Sequence, residues 1–244
     1  MLRLDQAMVE RGLCDSREKA KRAILAGQVR VDSQMAKKPS DSVSPQAEIT
    51  LEAAEKFVSR GGFKLEHGLE HFKLEVTGLV AIDIGASTGG FTDCLLQRGA
   101  RKVFAVDVGQ GQLAWKLRQD PRVVVMEKTN ARYLKPTQLP EMPDLAVIDC
   151  SFISLRKILP PAVALLKTKG KIVALVKPQF EAGRAEADKG RGVIRDASIH
   201  ERILEELKQF VTETGLTWAG VVESPLQGPA GNKEFLVLIE KQKA

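Results

Sequence analysis

The chain has 244 residues, 43% of them apolar and 28% charged, with a formal net charge of +6, which is enough apolar material for a sizeable core in one or two domains. No apolar stretch approaches the ~20 residues of a spanning helix, and Arg3, Asp5, Glu10 and Arg11 stand where a signal segment would be apolar, so a membrane protein is not expected. Three scattered cysteines, Cys14, Cys94 and Cys150, show no metal-ligand spacing and cannot all pair, which fits a reducing cytoplasm, and the positive charge suits a polyanionic partner.

Leu2, Leu4, Met8 and Val9 give a first amphipathic set, ended by Gly12. A second helix starts at Asp15 or Ser16, either of which can cap it, and Gly27 stops it. Its inward residues are expected to be Ala20, Ile24 and Leu25, with Arg17, Lys21 and Arg22 forming an outward basic stripe. Val29 and Val31 alternate with polar residues as a short strand, the stretch from Pro39 to Pro45 reads as a loop, and Ile49 and Leu51 resume a strand. The spacing from Arg3-Leu4-Asp5 through Gly12, Ser16-Arg17, Ala20, Ile24 and Gly27 to Val29-x-Val31-Asp32 resembles the small RNA-binding domain named after the fourth small-subunit ribosomal protein. That resemblance covers residues 1–55 and implies that Arg3, Arg17, Lys21, Arg22 and Arg30 meet RNA phosphates, reading shape more than sequence. Residues 56–62 are expected to link this domain to the rest, with Ser59-Arg60-Gly61-Gly62 as a hinge and Arg60 as a further RNA contact.

From residue 63 to 244 the chain alternates strands and helices, with strands near 79–84, 102–107, 122–126, 144–149, 171–176, 216–223 and 234–240. The first five are separated by helical lengths and should be parallel, and the last two should form an antiparallel hairpin at an edge. Within the run from Ala81 to Phe91, Val80, Ile82 and Ile84 make a buried strand carrying Asp83, and a loop with Gly85, Gly89 and Gly90 brings backbone amides near a ligand. Ala86 breaks the G-x-G-x-x-G pattern of a dinucleotide site. What remains, D-x-G-A-x-x-G-G-F, resembles the first motif of S-adenosylmethionine-dependent methyltransferases, which places Asp83, Gly85, Ala86, Ser87, Gly89, Gly90 and Phe91 around that cofactor. Asp107 ends the second strand, where an acid can accept both ribose hydroxyls, with Val108 beside it. Asn130, after the third strand, is expected beside the adenine.

Asp149 closes the fourth strand and Lys177 the fifth, so both fall at the carboxyl ends where ligands sit in open α/β sheets. A partly desolvated lysine close to a second cation can accept a proton, and Lys64 is the candidate second cation, with Glu234 orienting one of the two lysines. Lys64, Asp149, Lys177 and Glu234 together resemble the Lys-Asp-Lys-Glu tetrad of the FtsJ-type ribose 2′-O-methyltransferases. The phrases Val58-Ser-Arg-Gly-Gly-Phe-Lys64-Leu65, Asp149-Cys-Ser-Phe152, Val176-Lys-Pro-Gln-Phe-Glu181 and Gly231-Asn-Lys-Glu-Phe-Leu236 are similar to those of the TlyA, or hemolysin-A-like, branch over nearly the whole chain.

The resemblance implies a Rossmann-like α/β fold: a seven-stranded methyltransferase sheet, mostly parallel with the last strand antiparallel, beside a small N-terminal α+β RNA-binding domain. It also implies S-adenosylmethionine as cofactor, ribosomal RNA or ribosomal subunits as partner, no metal, and methylation of a ribose with Lys177 as base. The basic glycine-rich stretch from Asp188 to Arg195 adds Arg191 and Arg195 as expected RNA contacts. Cys150 lacks the preceding proline usual for a cysteine nucleophile that attacks pyrimidines, and Asp149-Cys-Ser-Phe152 lacks both prolines of an amino-methylating clamp. Two other classes stand as alternatives: a membrane-active haemolysin, after the name of the branch, and a non-catalytic RNA-binding assembly factor. Neither the target nucleotide nor the oligomeric state has a signature in the sequence.

Overall fold

The computed structural model describes residues 1–51, 56–183, 186, 192–228 and 230–242. They divide into two compact units, Met1–Lys56 and Phe57–Ala244.

In the smaller unit, β1 (Leu2–Arg3) leads into α1 (Leu4–Glu10), followed by α2 (Arg17–Leu25), β2 (Val29–Val31), β3 (Gln34–Met35), β4 (Ser42–Val43) and β5 (Ile49–Leu51). β2 pairs antiparallel with both β3 and β5, and β1 pairs with β4. Ser16 caps α2, its side chain accepting from the Lys19 amide, and Gly27 follows the helix at φ +71°. Leu4, Met8, Ala20, Ala23, Ile24, Val29 and Ile49 form the core. Three expectations need correction: Ser42 and Val43, inside the stretch read as a loop, form β4 paired with β1. Leu25 is 72% exposed, because Ala20, Ala23 and Ile24 already fill the inner stripe of a nine-residue helix, and Leu2 lies in β1 outside the core.

The larger unit holds α3 (Gly61–His71), β6 (Val80–Ile84), α4 (Gly90–Gln97), β7 (Lys102–Val106), α5 (Trp115–Arg118), β8 (Val123–Met126), β9 (Leu145–Ile148), α6 (Leu155–Leu165), β10 (Lys171–Val176), α7 (Pro178–Glu181), α8 (Ala197–Glu213), β11 (Leu216–Glu223) and β12 (Phe235–Lys241). Each of the seven strands read from the sequence is present, its ends shifted by one residue at most. The sheet runs β11-β12-β10-β9-β6-β7-β8. β8, β7, β6, β9 and β10 are parallel, and β12 slots antiparallel between β10 and the edge strand β11.

Both faces are covered, as a mostly parallel sheet requires. Val80, Ile82 and Ile84 of β6 point into a core layer with α6 and α8, and Ala81 points into the opposite layer with α3, α4 and Leu117 of α5.

The stretch 57–62, expected as part of a linker with a hinge, is built into this unit. Phe57 is 1% exposed and packs so closely on Gly62 that a Cβ there would come within 2.3 Å of its ring. The Val58 amide donates to Asp93 at 2.8 Å, and Gly61 and Gly62 already belong to α3. These contacts join residues 57–62 to the larger unit.

Candidate active site

The carboxyl ends of β6, β7, β9 and β10 and the start of β12 converge on two adjoining cavities. The larger, about 1180 Å³, runs past Gly85, Ser87, Asp107, Val108, Asn130 and Phe152. The smaller, about 310 Å³, is lined by Lys64, Gly85, Ser87, Asp149, Lys177 and Glu234 among others. Gly85, Ser87, Asp149 and Ser151 line both, so a group at the junction is open to a ligand in either.

The glycine loop forms the shared wall. Gly85 has φ +89°, and a Cβ on it would lie 2.6 Å from the Asp149 carbonyl oxygen, so only glycine lets the β6 loop close against the end of β9. Ser87 also adopts a positive φ, +48°, and its amide donates to Asp107 at 2.8 Å. The other Asp107 oxygen accepts from the Gly109 amide at 2.7 Å. Two backbone donors thus fix this carboxylate in the wall of the larger cavity.

Asp83 is fully buried beneath the loop and lines neither cavity. Thr92 donates to one of its oxygens at 2.6 Å, while the other has no hydrogen-bond partner. Burial pushes its carboxyl up to about 7 despite the Thr92 hydrogen bond, with the charges of Asp149 and Asp107 adding to the rise. Gly89 also lines neither cavity; its φ of +96° and the side chain of Leu117, 2.3 Å from where a Cβ would stand, account for glycine there. Ala86, Gly90 and Phe91 border the smaller cavity, Val108 and Asn130 the larger.

The four tetrad candidates meet in two ion pairs. Lys64 and Glu234, 170 residues apart in sequence, are paired with side chains 6% and 1% exposed. The sheet explains the meeting: β12 runs antiparallel to β10 with Phe235 opposite Val176, which sets Glu234 at the same end as Lys177. α3 lies over β12, where Gly68 makes room for Leu236, and Lys64 stands one turn earlier on that helix. Lys177 Nζ lies 2.5 Å from Asp149 Oδ1 and donates to Ser151 Oγ at 2.9 Å. The Asp149 contact is an ion pair off hydrogen-bond direction, since that buried oxygen has no hydrogen-bond donor.

Several contributors were not singled out from sequence. Ser151 holds Lys177, and its only sequence signal is its place two residues beyond Asp149. Glu181 accepts from Ser154 Oγ at 2.7 Å and from the Leu155 amide at 2.6 Å, tying α7 to the start of α6. Burial raises the Glu181 carboxyl. Phe152, 91% exposed with φ +62°, leans on Phe180 at 5.1 Å on the rim of the larger cavity. Cys150 is partly buried on the wall of the larger cavity, where burial, with the Asp149 charge adding, pushes its thiol up to about 12 and disfavours the reactive thiolate.

Among the expected RNA contacts, Arg60 lines the smaller cavity. Arg3 and Arg17 are bound to Asp5, Lys21 to Glu18, and Arg30 reaches the Ser33 carbonyl, while Arg22 and Arg195 are exposed. Arg191 lies outside the described residues. Among the described residues no helix is long and apolar enough to cross a membrane, and no cluster of three or more His, Cys, Asp or Glu could hold a metal ion.

Comparison with known proteins adds to this geometry. The FtsJ-like methyltransferase family matches residues 57–241, and the S4 domain matches residues 2–49. The 16S/23S rRNA (cytidine-2′-O)-methyltransferase TlyA of Mycobacterium tuberculosis is 46% identical over 242 residues, covering 98% of this chain and 90% of the relative. Hemolysin A of Brachyspira hyodysenteriae is 41% identical over 236 residues, covering 96% and 98%. A solved structure from Streptococcus thermophilus, 47% identical, superposes with a TM-score of 0.76 and covers 99% of this chain and 88% of that one.

Proposed function

The chain belongs to the FtsJ-like methyltransferase family and carries an S4 domain at its N-terminal end, and on that footing we propose that it methylates a ribose 2′-hydroxyl of ribosomal RNA, with S-adenosylmethionine as donor and Lys177 as base. The observation that carries this reading is the pair of ion pairs, Lys64 with Glu234 and Lys177 with Asp149, in a small cavity sharing a wall with a larger cleft. A relative with 46% identity is named for cytidine 2′-O-methylation of 16S and 23S rRNA, and we take a cytidine ribose as the substrate class. Such a substrate places the enzyme in the cytoplasm.

The residues present fit the cofactor. Gly85, Ser87, Asp107, Val108 and Asn130 all line the larger cavity, and the Ser87 and Gly109 amides hold the Asp107 carboxylate there. Gly85 and Ser87 would hold the donor at the loop, Asp107 its ribose hydroxyls, and Val108 and Asn130 the adenine side of the cleft. When bound, S-adenosylmethionine supplies a sulfonium-borne methyl group already activated for in-line displacement.

The protein must then generate a better nucleophile, because a neutral ribose hydroxyl attacks poorly. Lys177 must first release a proton from its ammonium to solvent; as the amine it then takes the hydroxyl proton as the oxygen attacks, and the ammonium that re-forms is balanced by Asp149 and held by Ser151. Lys64, its own charge met by Glu234, orients the hydroxyl. Proton transfer of this kind contributes roughly 10²–10⁴-fold, and positioning supplies much of the rest. The S4 unit adds affinity through phosphate contacts, so binding should weaken steeply with salt.

The test is incubation with tritiated S-adenosylmethionine and unmodified ribosomal subunits, digestion of the RNA and identification of the labelled nucleoside, with Lys177→Ala in parallel. Label in a 2′-O-methylribose that disappears in the variant is the expected result. Label in a base, or undiminished transfer by Lys177→Ala, would overturn it.

A further inference from the structure

Asp5 is the one fully buried acid of the smaller unit among the described residues, and its carboxylate is shared by two arginines. Arg3 donates Nε to Oδ1 at 3.0 Å and a terminal nitrogen to Oδ2 at 3.2 Å. Arg17, at the first position of α2, donates to Oδ2 at 3.0 Å. Both arginine side chains are half exposed, 44% and 49%; each rests on the carboxylate and has further N–H groups for an outside acceptor. Lys21, one helical turn after Arg17 on the same face, extends this basic surface.

A carboxylate is an expensive way to fill a core position. Taking it out of water costs several kcal/mol unless it is fully paired, and apolar groups of similar size serve at least as well, as Leu4, Ala7 and Met8 do on the same helix. What an apolar residue cannot do is hold two arginine forks in one place. The pairing with Arg3 and Arg17 draws the Asp5 carboxyl down to about 2, against the opposing effect of its burial, so it stays ionised in any neutral buffer.

We infer that Asp5 is a positioning residue for RNA recognition: it holds Arg3 and Arg17 as a preassembled pair of guanidinium groups that receives the phosphate oxygens of the RNA backbone. The inference rests on the RNA reading proposed above and adds to it the residue that orders two of its contacts. The benefit lies in entropy, since an arginine already held in its binding geometry loses less freedom when a phosphate arrives. A long, freely rotating arginine at the same position would carry the same charge and bind more weakly.

The sign of the effect makes the idea testable. Asp5→Asn removes a negative charge next to the basic face, so electrostatics alone predicts tighter RNA binding, whereas positioning predicts weaker binding. Glu18→Gln, which removes a carboxylate from the exposed Lys21 pair, is the equal-charge control. With the full-length protein and a fluorescent fragment of ribosomal RNA titrated at several salt concentrations, Asp5→Asn should bind about tenfold more weakly with a shallower salt slope. Glu18→Gln should bind equally or more tightly. Unchanged or tighter binding by Asp5→Asn would overturn the inference while leaving RNA binding by the wild type intact. Wild-type protein without salt-dependent RNA binding would overturn the RNA reading and this inference together. Should Asp5→Asn unfold the small unit, Arg17→Lys decides: charge is kept at a half-exposed site but the planar fork is lost. Several-fold weaker binding at an unchanged melting temperature is then expected, and wild-type affinity would overturn the inference.

Discussion

Severing the Lys64–Glu234 pair should cost stability and activity, and a paired replacement should separate the two. Both side chains are almost wholly buried, and Glu234 is hemmed in further by Gly228, where a Cβ would stand 2.6 Å from its second oxygen. Water therefore screens a charge left behind only weakly. Glu234→Leu leaves the Lys64 ammonium uncompensated and Lys64→Met leaves the Glu234 carboxylate so, each at a cost of about 3–5 kcal/mol. In a unit of this size each kcal/mol lowers the melting temperature by about 2–4 °C, so each single variant should melt roughly 6–20 °C below wild type. The double variant leaves no orphan charge and should recover most of that loss, because well-packed apolar residues commonly match a buried ion pair. Methyl transfer should nevertheless stay at least ~10²-fold down in all three variants, since Lys64→Met and the double variant lack the ammonium that orients the hydroxyl, and Glu234→Leu leaves that ammonium without the carboxylate that holds it in place. The assay is convenient, because both tryptophans, Trp115 and Trp218, lie in the larger unit, and intrinsic fluorescence on heating reports that unit alone. Single variants that melt within a degree or two of wild type, or a double variant that still methylates, would refute the reasoning.

Other expectations follow from the loop and the strand ends. Gly85→Ala places a methyl group 2.6 Å from the Asp149 carbonyl at a residue with φ +89°, which would displace the loop lining both cavities, so S-adenosylhomocysteine affinity, measured by calorimetry, should fall at least about tenfold; unchanged affinity would contradict a role for this loop in holding the cofactor. Asp83, with its carboxyl raised to about 7 in the folded protein, keeps its proton between about pH 4 and 7 where the unfolded chain has lost it. Stability should therefore fall as pH rises through that window, by up to about 1.4 kcal/mol per unit from this group. Asp83→Asn should flatten that slope in denaturant titrations, and an identical slope would exclude Asp83 as its source. Cys150→Ala should methylate within about threefold of wild type, and iodoacetamide at pH 8 should leave Cys150 unlabelled, because its thiol lies near 12; a dead variant would revive cysteine chemistry.

The seven strands were legible because each is a short apolar run bounded by turns, with a chemically distinctive residue at its end. Asp83, Asp107, Asp149 and Lys177 could be placed at carboxyl ends by counting along those runs, without knowing which strands are neighbours. The smaller unit was legible for a similar reason, its glycines and its Ser16 cap falling at fixed distances along two short helices. The misplacement of Leu25 shows the limit of such reading. Three apolar residues on a short helix are enough to cover the small core, and no local pattern says that a fourth will be left in water.

Local order thus specified which residue types stand at which strand ends, since periodicity and turn chemistry act over a few residues and are written along the chain. The partners were decided elsewhere. Glu234 could have served either lysine until the insertion of β12 antiparallel beside β10, and the packing of α3 over β12, gave it to Lys64 and left Lys177 to Asp149 and Ser151. The burial of Asp83 under its own loop, the docking of Phe57 against Gly62 and the joining of α6 to α7 by Glu181 were fixed in the same way. Each depends on close packing between segments distant in sequence, and that is a property of the assembled layers that no stretch of sequence contains by itself.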